Sequence, residues 1–563
     1  MHNYFAHIAT LLNLELREQL AMISDPRDEE VGLVTHKRQM DAAALLCKKG
    51  SMITPIFNLL MAGMGGREGA QNAEEVRHLS RMAVGIASDD SLAKARAFLE
   101  TLGVNSSQRA AIEACLDRRL TLIQGPPGTG KTTVAVQVLT IWVKTLGVRP
   151  VMACADSNVA VDNIGAALVA GGVSVVRLGR QDAVRADMQQ YMIENLGGPP
   201  AIQTADVVLC TCVGSGNSIL SKIPFDHVLI DETAQSTEPS CLVPLTHGCR
   251  QLVLVGDHKQ LRPTVVCDEA SERGLKLSMF ERLLRHGVEP LMLDTQYRMH
   301  RSLGAFPSKR FYAGRLQSGT ADEKRPAPRG VPWPAHNVNV ALLPSHCIEE
   351  GTGTSKKNSG EAHMLFDLLR GVLHAGELKA NEIGIVTPYA AQVSLLRQMS
   401  STLPAGRAIE IMSVDGFQGR EKELILFSAV RSGRSLGFVS DERRLNVMLT
   451  RAKRGLVVVG DPRTLVYSRH WADWLEWIQD NGAVIGSTGW RMPPRPSRQL
   501  RADRSPSSDD TDGMGRRKRR GQHVESDSDD ETVPKLQVSY KSRAEKRKQE
   551  RKARRAAAAA AAA

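Results

Sequence analysis

A glycine-rich run between two apolar segments carries the clearest chemical signal in this chain. Gly125-Pro-Pro-Gly-Thr-Gly-Lys-Thr132 fits the spacing G-x-x-x-x-G-K-[ST], with a strand-like stretch before it and a helix-like stretch after it. Glycines let backbone N–H groups close around phosphates at the N-terminus of a helix. The motif predicts that Lys131 holds the β- and γ-phosphates of a nucleotide and that Thr132 binds Mg²⁺.

Two carboxylates and an amide follow later apolar strands. Asp231 and Glu232 end the run that begins at Val228, where ATP hydrolysis needs a Mg²⁺ ligand and a group that polarises the attacking water. Gln260 follows the strand-like Leu252–Val255, and open α/β sheets bind ligands beyond the carboxyl ends of their strands. We expect Asp231 to hold the Mg²⁺ shell, Glu232 to activate water and Gln260 to contact the γ-phosphate.

Two arginines could supply the positive charge that phosphoryl transfer requires. Arg298 lies in Gln296-Tyr-Arg-Met299, and Arg451 lies in the run that begins at Arg444. Either side chain could instead form an ordinary surface salt bridge. If Arg451 belongs to a second lobe, it reaches the nucleotide only when the lobes close, which would couple hydrolysis to motion between the lobes.

Strand-like and helix-like segments alternate twice along the chain, which predicts two similar α/β lobes with parallel sheets. The first set of strand-like segments is Thr121–Gln124, Pro150–Cys154, Val207–Cys212, Val228–Ile230 and Leu252–Val255. The second set is Val338–Leu343, Ile383–Val386, Glu410–Ser413, Leu424–Ser428 and Leu456–Val459. We assign residues 1–102 to a helical N-terminal extension, 103–318 and 319–490 to the two lobes, and 491–563 to a disordered basic tail.

Composition favours an intracellular globular protein. The net charge is +12, but residues from Arg491 onward hold 20 Lys and Arg against 11 Asp and Glu, so most of the basic excess lies in the tail. No apolar run approaches the roughly 18 residues that span a membrane, and the start of the chain lacks a secretory signal pattern. The nine cysteines form no CxxC pair, which indicates free thiols.

An ordered series of motifs gives the chain a family resemblance. It resembles the superfamily-one helicases, and within them the up-frameshift branch of nonsense-mediated decay RNA helicases, over about residues 103–487. The motifs are Gln108, GPPGTGKTT (125–133), CADSNVAVDNI (154–164), VVLCTCVGSG (207–216), VLIDETAQSTEP (228–239), LVLVGDHKQLRPTV (252–265), LDTQYRMH (293–300), GIVTPYAAQV (384–393), SVDGFQGREKELI (413–425) and RRLNVMLTRAKRGLVVVGDP (443–462). The resemblance implies two RecA-like lobes of the P-loop NTPase fold.

The resemblance also implies individual roles around ATP and Mg²⁺. Gln108 is similar to the residue that reads adenine, and Tyr297 to the residue that stacks on its ring. Gln260 resembles the γ-phosphate sensor, Arg298 and Arg451 the arginine fingers, and Glu421 a nucleotide contact of the family. The direct contacts of the loop with phosphates and Mg²⁺ would be Gly128, Thr129, Gly130, Lys131 and Thr132.

The resemblance places a single strand of nucleic acid across both lobes, with movement from 5′ to 3′. The implied contacts are Ser157-Asn158, Thr211-Cys212-Val213, Pro388-Tyr389 and Ser413-Val414-Asp415. Tyr389 is a candidate for stacking on a base, and a core tyrosine is the alternative. RNA and DNA stay open, because the sequence does not reveal contacts to a 2′-hydroxyl.

The chain departs from the family pattern in three ways. It has no Cys/His-rich zinc cluster, so partner recruitment through such a module is not carried over. The stretch before Gln108 shows no run of alternating strands, so the barrel of the family is expected to be lost or truncated. Arg262 stands where relatives have a small residue or proline, and is either solvated or in contact with phosphate or RNA.

These observations predict an ATP-dependent RNA helicase or translocase that remodels RNA or RNA–protein complexes, including in mRNA decay. A DNA helicase of repair or replication and an ATP-gated RNA-binding clamp are the alternatives. We expect a monomer without membrane contact, with decay or ribonucleoprotein factors as further partners. It would be cytoplasmic or, because Arg516-Arg-Lys-Arg-Arg520 resembles an import signal, nuclear.

Overall fold

A computed structural model describes residues 2–23, 26–47, 60, 69–85, 87–352, 355–403, 406–486 and 489–496. The predicted disordered tail lies outside these residues from position 497 onward, and so does the basic run Arg516–Arg520. Within the described residues, no helix combines the length and apolar character needed to cross a membrane.

The first lobe contains a fully parallel sheet of seven strands. In chain order they are β1 Leu120–Gln124, β2 Val151–Ala155, β3 Val175–Arg177, β4 Val207–Thr211, β5 His227–Asp231, β6 Gln251–Gly256 and β7 Leu291–Met292. Their spatial order is β3-β4-β2-β5-β6-β1-β7. All five strands predicted here are present, and the short β3 and β7 complete the sheet.

The second lobe contains a parallel sheet of five strands, and the described residues also form two pairs of short strands. These pairs are β8 Thr295–Gln296 with β9 Gln317–Ser318 and β11 Glu350–Thr352 with β12 Ser355–Lys357. The sheet strands are β10 Val340–Pro344, β13 Ile383–Thr387, β14 Glu410–Ser413, β15 Lys422–Ser428 and β16 Ala452–Gly460. Their order is β10-β16-β15-β13-β14, so the predicted two-lobed parallel α/β fold is confirmed.

Helices precede the first sheet and connect the strands of both sheets. The N-terminal helices are α1 His2–Met22, α2 Pro26–Cys47, α3 Gly69–Arg81, α4 Asp89–Thr101 and α5 Ser106–Ala114. The first lobe continues with α6 Lys131–Lys144, α7 Asn158–Ala170, α8 Pro200–Thr204, α9 Glu238–Leu242, α10 Asp268–Ala270 and α11 Met279–Arg285. The remaining helices are α12 Arg301–Phe311, α13 Ser359–Ala375, α14 Ala390–Ser400, α15 Glu442–Leu449, α16 Pro462–Leu465 and α17 Arg469–Asp480.

Each sheet is buried on both faces because successive strand residues point to opposite helical layers. In the first lobe, Leu122 and Met152 join one buried cluster, and Ile123 and Ala153 join another. Apolar residues from Met299 to Leu316 join a cluster of the second lobe, although the sequence assigns this segment to the first. The boundary at residue 318 stays a prediction, since the packing shows only that α12 shares a core with the second sheet.

The N-terminal helices pack on the first lobe. Ile8, Leu11 and Leu12 of α1 bury their side chains in a small cluster with Cys267 and Leu275. Hydrogen bonds also attach helix α1 to the first lobe, because the Glu15 carboxylate accepts from the backbone N–H groups of Val266 and Cys267. The described part of the extension is helical, in agreement with the sequence expectation.

Candidate functional site

Three neighbouring strands, β5, β6 and β1, end beside one another at the carboxyl edge of the first sheet. The phosphate-binding loop leaves β1 after Gln124, Asp231 is the last residue of β5, and Asp257 directly follows β6. Parallel strands place their carboxyl ends at one edge of a sheet. The loop, the two carboxylates and Gln260 therefore meet there, although they are distant in sequence.

Two glycines of the loop have left-handed backbone conformations and no room for a side chain. Gly128 has φ 74° and Gly130 has φ 81°. A Cβ atom on Gly128 would lie 2.6 Å from the Cβ of Arg298, and one on Gly130 would lie 2.8 Å from Nε2 of Gln108. This loop shape at the start of α6 is a cradle that fits phosphate groups.

Side chains of the loop brace it from within. The Thr129 hydroxyl is fully buried and donates to the Pro126 carbonyl across 2.7 Å. The Nζ of Lys131 donates to the Gly125 carbonyl across 2.9 Å, which holds the ammonium over the loop. Lys131 and Thr132 both line the cleft above the loop, where a lysine and a hydroxyl suit phosphate and Mg²⁺.

Asp231 and Glu232 stand at the end of β5 in different environments. Burial, together with Glu232, raises the pKa of Asp231 to about 7, and Lys131 opposes this rise. Glu232 has φ 52°, which is uncommon for a residue with a side chain, and its Oε2 accepts from Nε2 of Gln235 across 2.5 Å. A cation would favour the ionised form of a buried carboxyl, so Asp231 and the Thr132 hydroxyl fit a Mg²⁺ ion.

Asp257 joins the proposed γ-phosphate sensor to the second lobe. Its Oδ2 accepts from Nε2 of Gln260 across 2.8 Å and from the Tyr312 hydroxyl across 2.7 Å. The Tyr312 oxygen in turn accepts from Nδ2 of Asn446 on α15 across 2.8 Å. Burial and Asp257 raise the pKa of Tyr312 far above its usual range, so the hydroxyl stays a donor. Gln260 is therefore linked by hydrogen bonds to the core of the second lobe.

Arg451 reaches the same point from the second lobe, just before β16. Its side chain is buried, and its Nη2 donates to Oε1 of Gln260 across 3.3 Å. Its Nε donates to the Val447 carbonyl across 2.9 Å. Burial, with Arg298 nearby, lowers the pKa of Arg451 to about 9, which leaves it cationic at neutral pH. The surface salt-bridge alternative is therefore wrong for Arg451.

Arg298, which follows β8, also contacts the second lobe. Its Nη1 donates to the Thr450 carbonyl across 3.1 Å, and its Nε lies 2.5 Å from Oε2 of Glu421. The other Glu421 oxygen lies 3.2 Å from Nζ of Lys453. Burial opposes ionisation of Glu421, but Arg298 and Lys453 outweigh it and lower the pKa of this carboxyl. A partly buried ion pair with Glu421 thus fixes Arg298 in the lining of the cleft.

The predicted adenine-reading residues are joined through Asn105. Gln108 forms a capping box on α5, with its Oε1 accepting from the Asn105 backbone and its Nε2 donating to the Thr129 carbonyl across 3.0 Å. The Asn105 amide donates to the Tyr297 hydroxyl across 2.9 Å. The Tyr297 ring is 43% exposed, and its backbone N–H donates to the Gly128 carbonyl. Tyr297 is accessible to a base, whereas both ends of the Gln108 amide already have protein partners.

A cleft of about 1310 Å³ brings the predicted residues of both lobes together. Gln108 lies behind its wall, in contact with the loop. The predicted site residues that line the cleft are Gly128, Thr129, Gly130, Lys131, Thr132, Asp231, Glu232, Gln260, Tyr297, Arg298, Glu421 and Arg451.

Comparison with known proteins gives relatives across both lobes. Two family models, each described as an AAA domain, match residues 103–197 with 199–268, and residues 275–463. The Regulator of nonsense transcripts 1 homolog of Drosophila melanogaster is 39% identical, and the match covers 68% of this chain and 36% of that protein. The ATP-dependent helicase NAM7 of Saccharomyces cerevisiae is 38% identical, and the match covers 73% of this chain and 47% of that protein.

The chain belongs to the superfamily-one helicases of the up-frameshift-like family. It spans 36% and 47% of the length of these two relatives. The solved arterivirus helicase nonstructural protein 10 aligns with 66% of this chain and 62% of its own, at 14% identity and a TM-score of 0.35.

The predicted contacts of this helicase-family chain with a nucleic-acid strand divide into exposed and buried groups. Ser157, Asn158, Thr211, Val213 and Asp415 line the cleft. Cys212 and Val414 are buried, so neither presents a surface to a strand in this conformation. Pro388 lies between buried neighbours at the end of β13.

Tyr389 is a core residue and not an open stacking surface. Its side chain is only 4% exposed. Its hydroxyl donates to the Leu436 carbonyl across 3.3 Å and accepts from Nη1 of Arg431 across 3.3 Å. The alternative of a core tyrosine is therefore the correct one.

Arg262 is partly buried and paired with an acidic side chain. Its guanidinium donates twice to the Glu281 carboxylate, at 2.8 and 3.2 Å. The same carboxylate accepts from Nη2 of Arg443 on the second lobe across 3.3 Å. Burial opposes ionisation of Glu281, but Arg262 and Arg443 lower its pKa to about 2. This helicase-family chain therefore uses Arg262 in a charged contact between its lobes.

Sequence reasoning missed four residues that organise the site: Asp257, Tyr312, Asn446 and Glu281. Asp257 and Asn446 lie inside quoted motifs, so their positions were a signal, but no chemistry pointed to a partner. Tyr312 lies outside any motif and 134 residues before its partner Asn446, so only the fold reveals it.

Proposed function

We propose that this chain is an ATP-dependent helicase or translocase that moves 5′ to 3′ on single-stranded RNA and remodels RNA or ribonucleoprotein complexes. One observation carries the proposal. A phosphate cradle and two acidic residues of the first lobe share a cleft with Arg451 of the second lobe, which is buried and hydrogen-bonded to Gln260. This arrangement makes the hydrolysis site depend on how the lobes meet.

The residues of the cleft divide the chemistry among them. Lys131 and the backbone of the loop would bind the phosphates, and Thr132 and Asp231 would hold Mg²⁺. When bound, Mg²⁺ neutralises charge on the phosphates and orients them. Glu232 accepts the proton of the attacking water, and Arg298 and Arg451 stabilise the negative charge that develops during transfer.

Gln260 would report the state of the nucleotide to the second lobe. Its Oε1 accepts from Arg451 of the second lobe, so a new partner for this atom competes with a contact between the lobes. Its Nε2 donates to Asp257 within the first lobe. Because Asp257 also binds Tyr312, the change would pass into the core of the second lobe. Closing and opening of the cleft would then step the protein along a strand held by both lobes.

The names of the relatives support RNA as the polymer and mRNA decay as a setting. One is named a regulator of nonsense transcripts and another an ATP-dependent helicase. A DNA helicase and an ATP-gated RNA clamp stay as the two competing outcomes. Decay factors as partners, a monomeric state and a cytoplasmic or nuclear location are further proposals, the last of them through a basic run outside the described residues.

Steady-state ATPase measurements test the proposal. Wild type and Glu232→Gln are assayed without polymer, with single-stranded RNA and with single-stranded DNA. RNA stimulation that disappears in the variant supports an RNA-coupled motor, and unwinding of duplexes tailed at the 5′ or the 3′ end then tests polarity. Stronger stimulation by DNA favours the DNA helicase, and ATP-dependent release of RNA without strand displacement favours the clamp.

A further inference from the structure

Phe438 is the aromatic side chain that the second lobe exposes to the cleft. Among the described residues, the large hydrophobic side chains exposed on the surface include only two aromatic ones, Tyr297 at 43% and Phe438 at 56%. Both line the cleft. Tyr297 contacts the phosphate-binding loop through its backbone, whereas Phe438 lies in the short 3-10 helix Gly437–Ser440, before α15. An exposed apolar ring costs solvation free energy unless something covers it.

The Phe438 ring packs against Tyr389, which belongs to a predicted strand-binding segment. Its centroid lies 6.0 Å from that of Tyr389, and the two rings are inclined by 51°. Gly437 has φ 53°, and a Cβ atom there would lie 2.8 Å from the Tyr389 hydroxyl oxygen. Tyr389 itself is buried and hydrogen-bonded at its hydroxyl. The turn Gly437–Ser440 therefore packs closely against Tyr389, and this packing restricts the orientation of the Phe438 ring.

A second predicted strand-binding segment reaches Phe438 through Arg444. The Arg444 guanidinium carbon lies 5.3 Å from the Phe438 centroid, a cation–π distance. The Nε of Arg444 donates to Oδ1 of Asp415 across 3.0 Å. Asp415 and Tyr389 belong to the two segments of the second lobe for which the family resemblance implies strand contacts. Phe438 is thus the exposed ring at the point where both segments meet.

The formal charges along the cleft are balanced. The described residues that line it include eight Lys and Arg and eight Asp and Glu. The lining as a whole therefore has no excess of formal positive charge to attract the phosphates of a strand. Proteins that bind single strands without sequence preference add stacking of bases on aromatic rings, which every base can provide. A base is therefore the occupant that fits this ring.

We propose that Phe438 is a stacking platform for one base of the bound single strand. Arg444, which lies beside the ring, contacts the neighbouring phosphate in exchange for Asp415. This inference rests on the proposed function, because it requires the cleft to hold a nucleic-acid strand. It assigns base contact to Phe438 and leaves Tyr389 as the buried support of the platform.

The test compares normal and base-free strands. Fluorescence anisotropy gives the Kd of the full chain for a labelled oligoadenylate and for an abasic ribose-phosphate oligomer of equal length. Phe438→Ala should weaken oligoadenylate binding by about 5- to 150-fold, the range for one stacked base. Phe438→Trp should restore it. The abasic strand should bind Phe438→Ala and wild type equally, because it has no base to stack.

Two controls keep the outcomes separate. Ile348→Ala removes a side chain that is 79% exposed and does not line the cleft, and should leave both affinities unchanged. Phe438→Leu keeps an apolar side chain and should behave like Phe438→Ala, which serves if the alanine variant folds poorly. An equal loss on both strands, or wild-type affinity of the Ala and Leu variants, overturns the stacking role. Failure of wild type to bind any strand would instead overturn the proposed function.

Discussion

Arg451 of the second lobe donates from Nη2 to Oε1 of Gln260 on the first lobe across 3.3 Å. Two residues 191 positions apart are thus in contact in the cleft that Asp231 and Glu232 also line. Both side chains are buried, so the contact is shielded from competing water. A single guanidinium therefore joins the two lobes at the edge of the phosphate-binding loop and its acidic pair.

Replacement of Arg451 should abolish turnover. Arg451→Ala is expected to lower kcat by about 10³-fold or more, since arginine fingers contribute on this order. Arg451→Lys should not restore it, because an ammonium cannot make the forked contacts of a guanidinium. The measurement is single-turnover ATP hydrolysis, with the exposed Arg463→Lys as control. Near-normal kcat in Arg451→Ala would contradict the assignment.

Glu232→Gln should separate hydrolysis from binding. We expect kcat to fall by about 10²- to 10⁴-fold, the usual contribution of a general base, while nucleotide affinity stays close to that of wild type. Glu100→Gln, at an exposed ion pair on α4, is the matched control. Equal losses in affinity and kcat would show that Glu232 serves the structure of the site and not the proton transfer.

Loop glycines offer a matched comparison for nucleotide binding. Gly128 has φ 74° and Gly147 has φ 70°, but an added Cβ meets Arg298 at 2.6 Å only in the first case, with nothing within 4 Å in the second. Both alanine variants should lose about 1 kcal/mol of stability from backbone strain, and Gly128→Ala should lose more because its Cβ also clashes with Arg298. Only Gly128→Ala should lose nucleotide affinity, by at least about tenfold. Calorimetric titration and thermal unfolding measure the two effects, and equal affinities would contradict the cradle.

Glu361 should make stability depend on pH. Burial raises the pKa of this carboxyl to about 8, although the Ser428 hydroxyl and the Val430 N–H donate to it. The folded state therefore binds a proton that the unfolded state has released. The unfolding free energy should fall as pH rises from about 4.5 to 8, by about 2 to 4 kcal/mol, and level off above that for this group. Urea unfolding of Glu361→Gln should show a flatter profile, and an unchanged profile would contradict the shift.

The buried ion pair of Arg177 and Asp162 should support the start of α7. Arg177 donates to Asp162 and to Asn158, each across 2.8 Å, and its side chain is fully buried. Arg177→Met should cost about 3–5 kcal/mol, because it leaves a buried carboxylate unpaired. Arg180→Met removes an exposed pair and should cost less than about 1 kcal/mol. Denaturant unfolding of both variants makes the comparison, and similar costs would show that the buried pair contributes little.

Local signals were enough for the elements of the fold and much of the nucleotide site. The run from Gly125 to Thr132 specifies its own turn chemistry, and Asp231 and Gln260 follow apolar strands whose ends can be read directly. By contrast, the local sequence around Tyr389 and Arg262 does not indicate whether these side chains are exposed or buried. Only their neighbours in space, Arg431 for the first and Glu281 for the second, decide between these alternatives.

The sequence by itself determined the two parallel α/β lobes, the phosphate-binding loop and the family, because hydrophobic periodicity and short motifs are properties of neighbouring residues. The tertiary structure alone decided that Arg451 meets Gln260, that Asp257 reaches Asn446 through Tyr312, and that Phe438 rather than Tyr389 faces the cleft. These relationships join residues far apart in the chain. Their burial and hydrogen bonds exist only after both sheets have folded and the lobes have packed against each other.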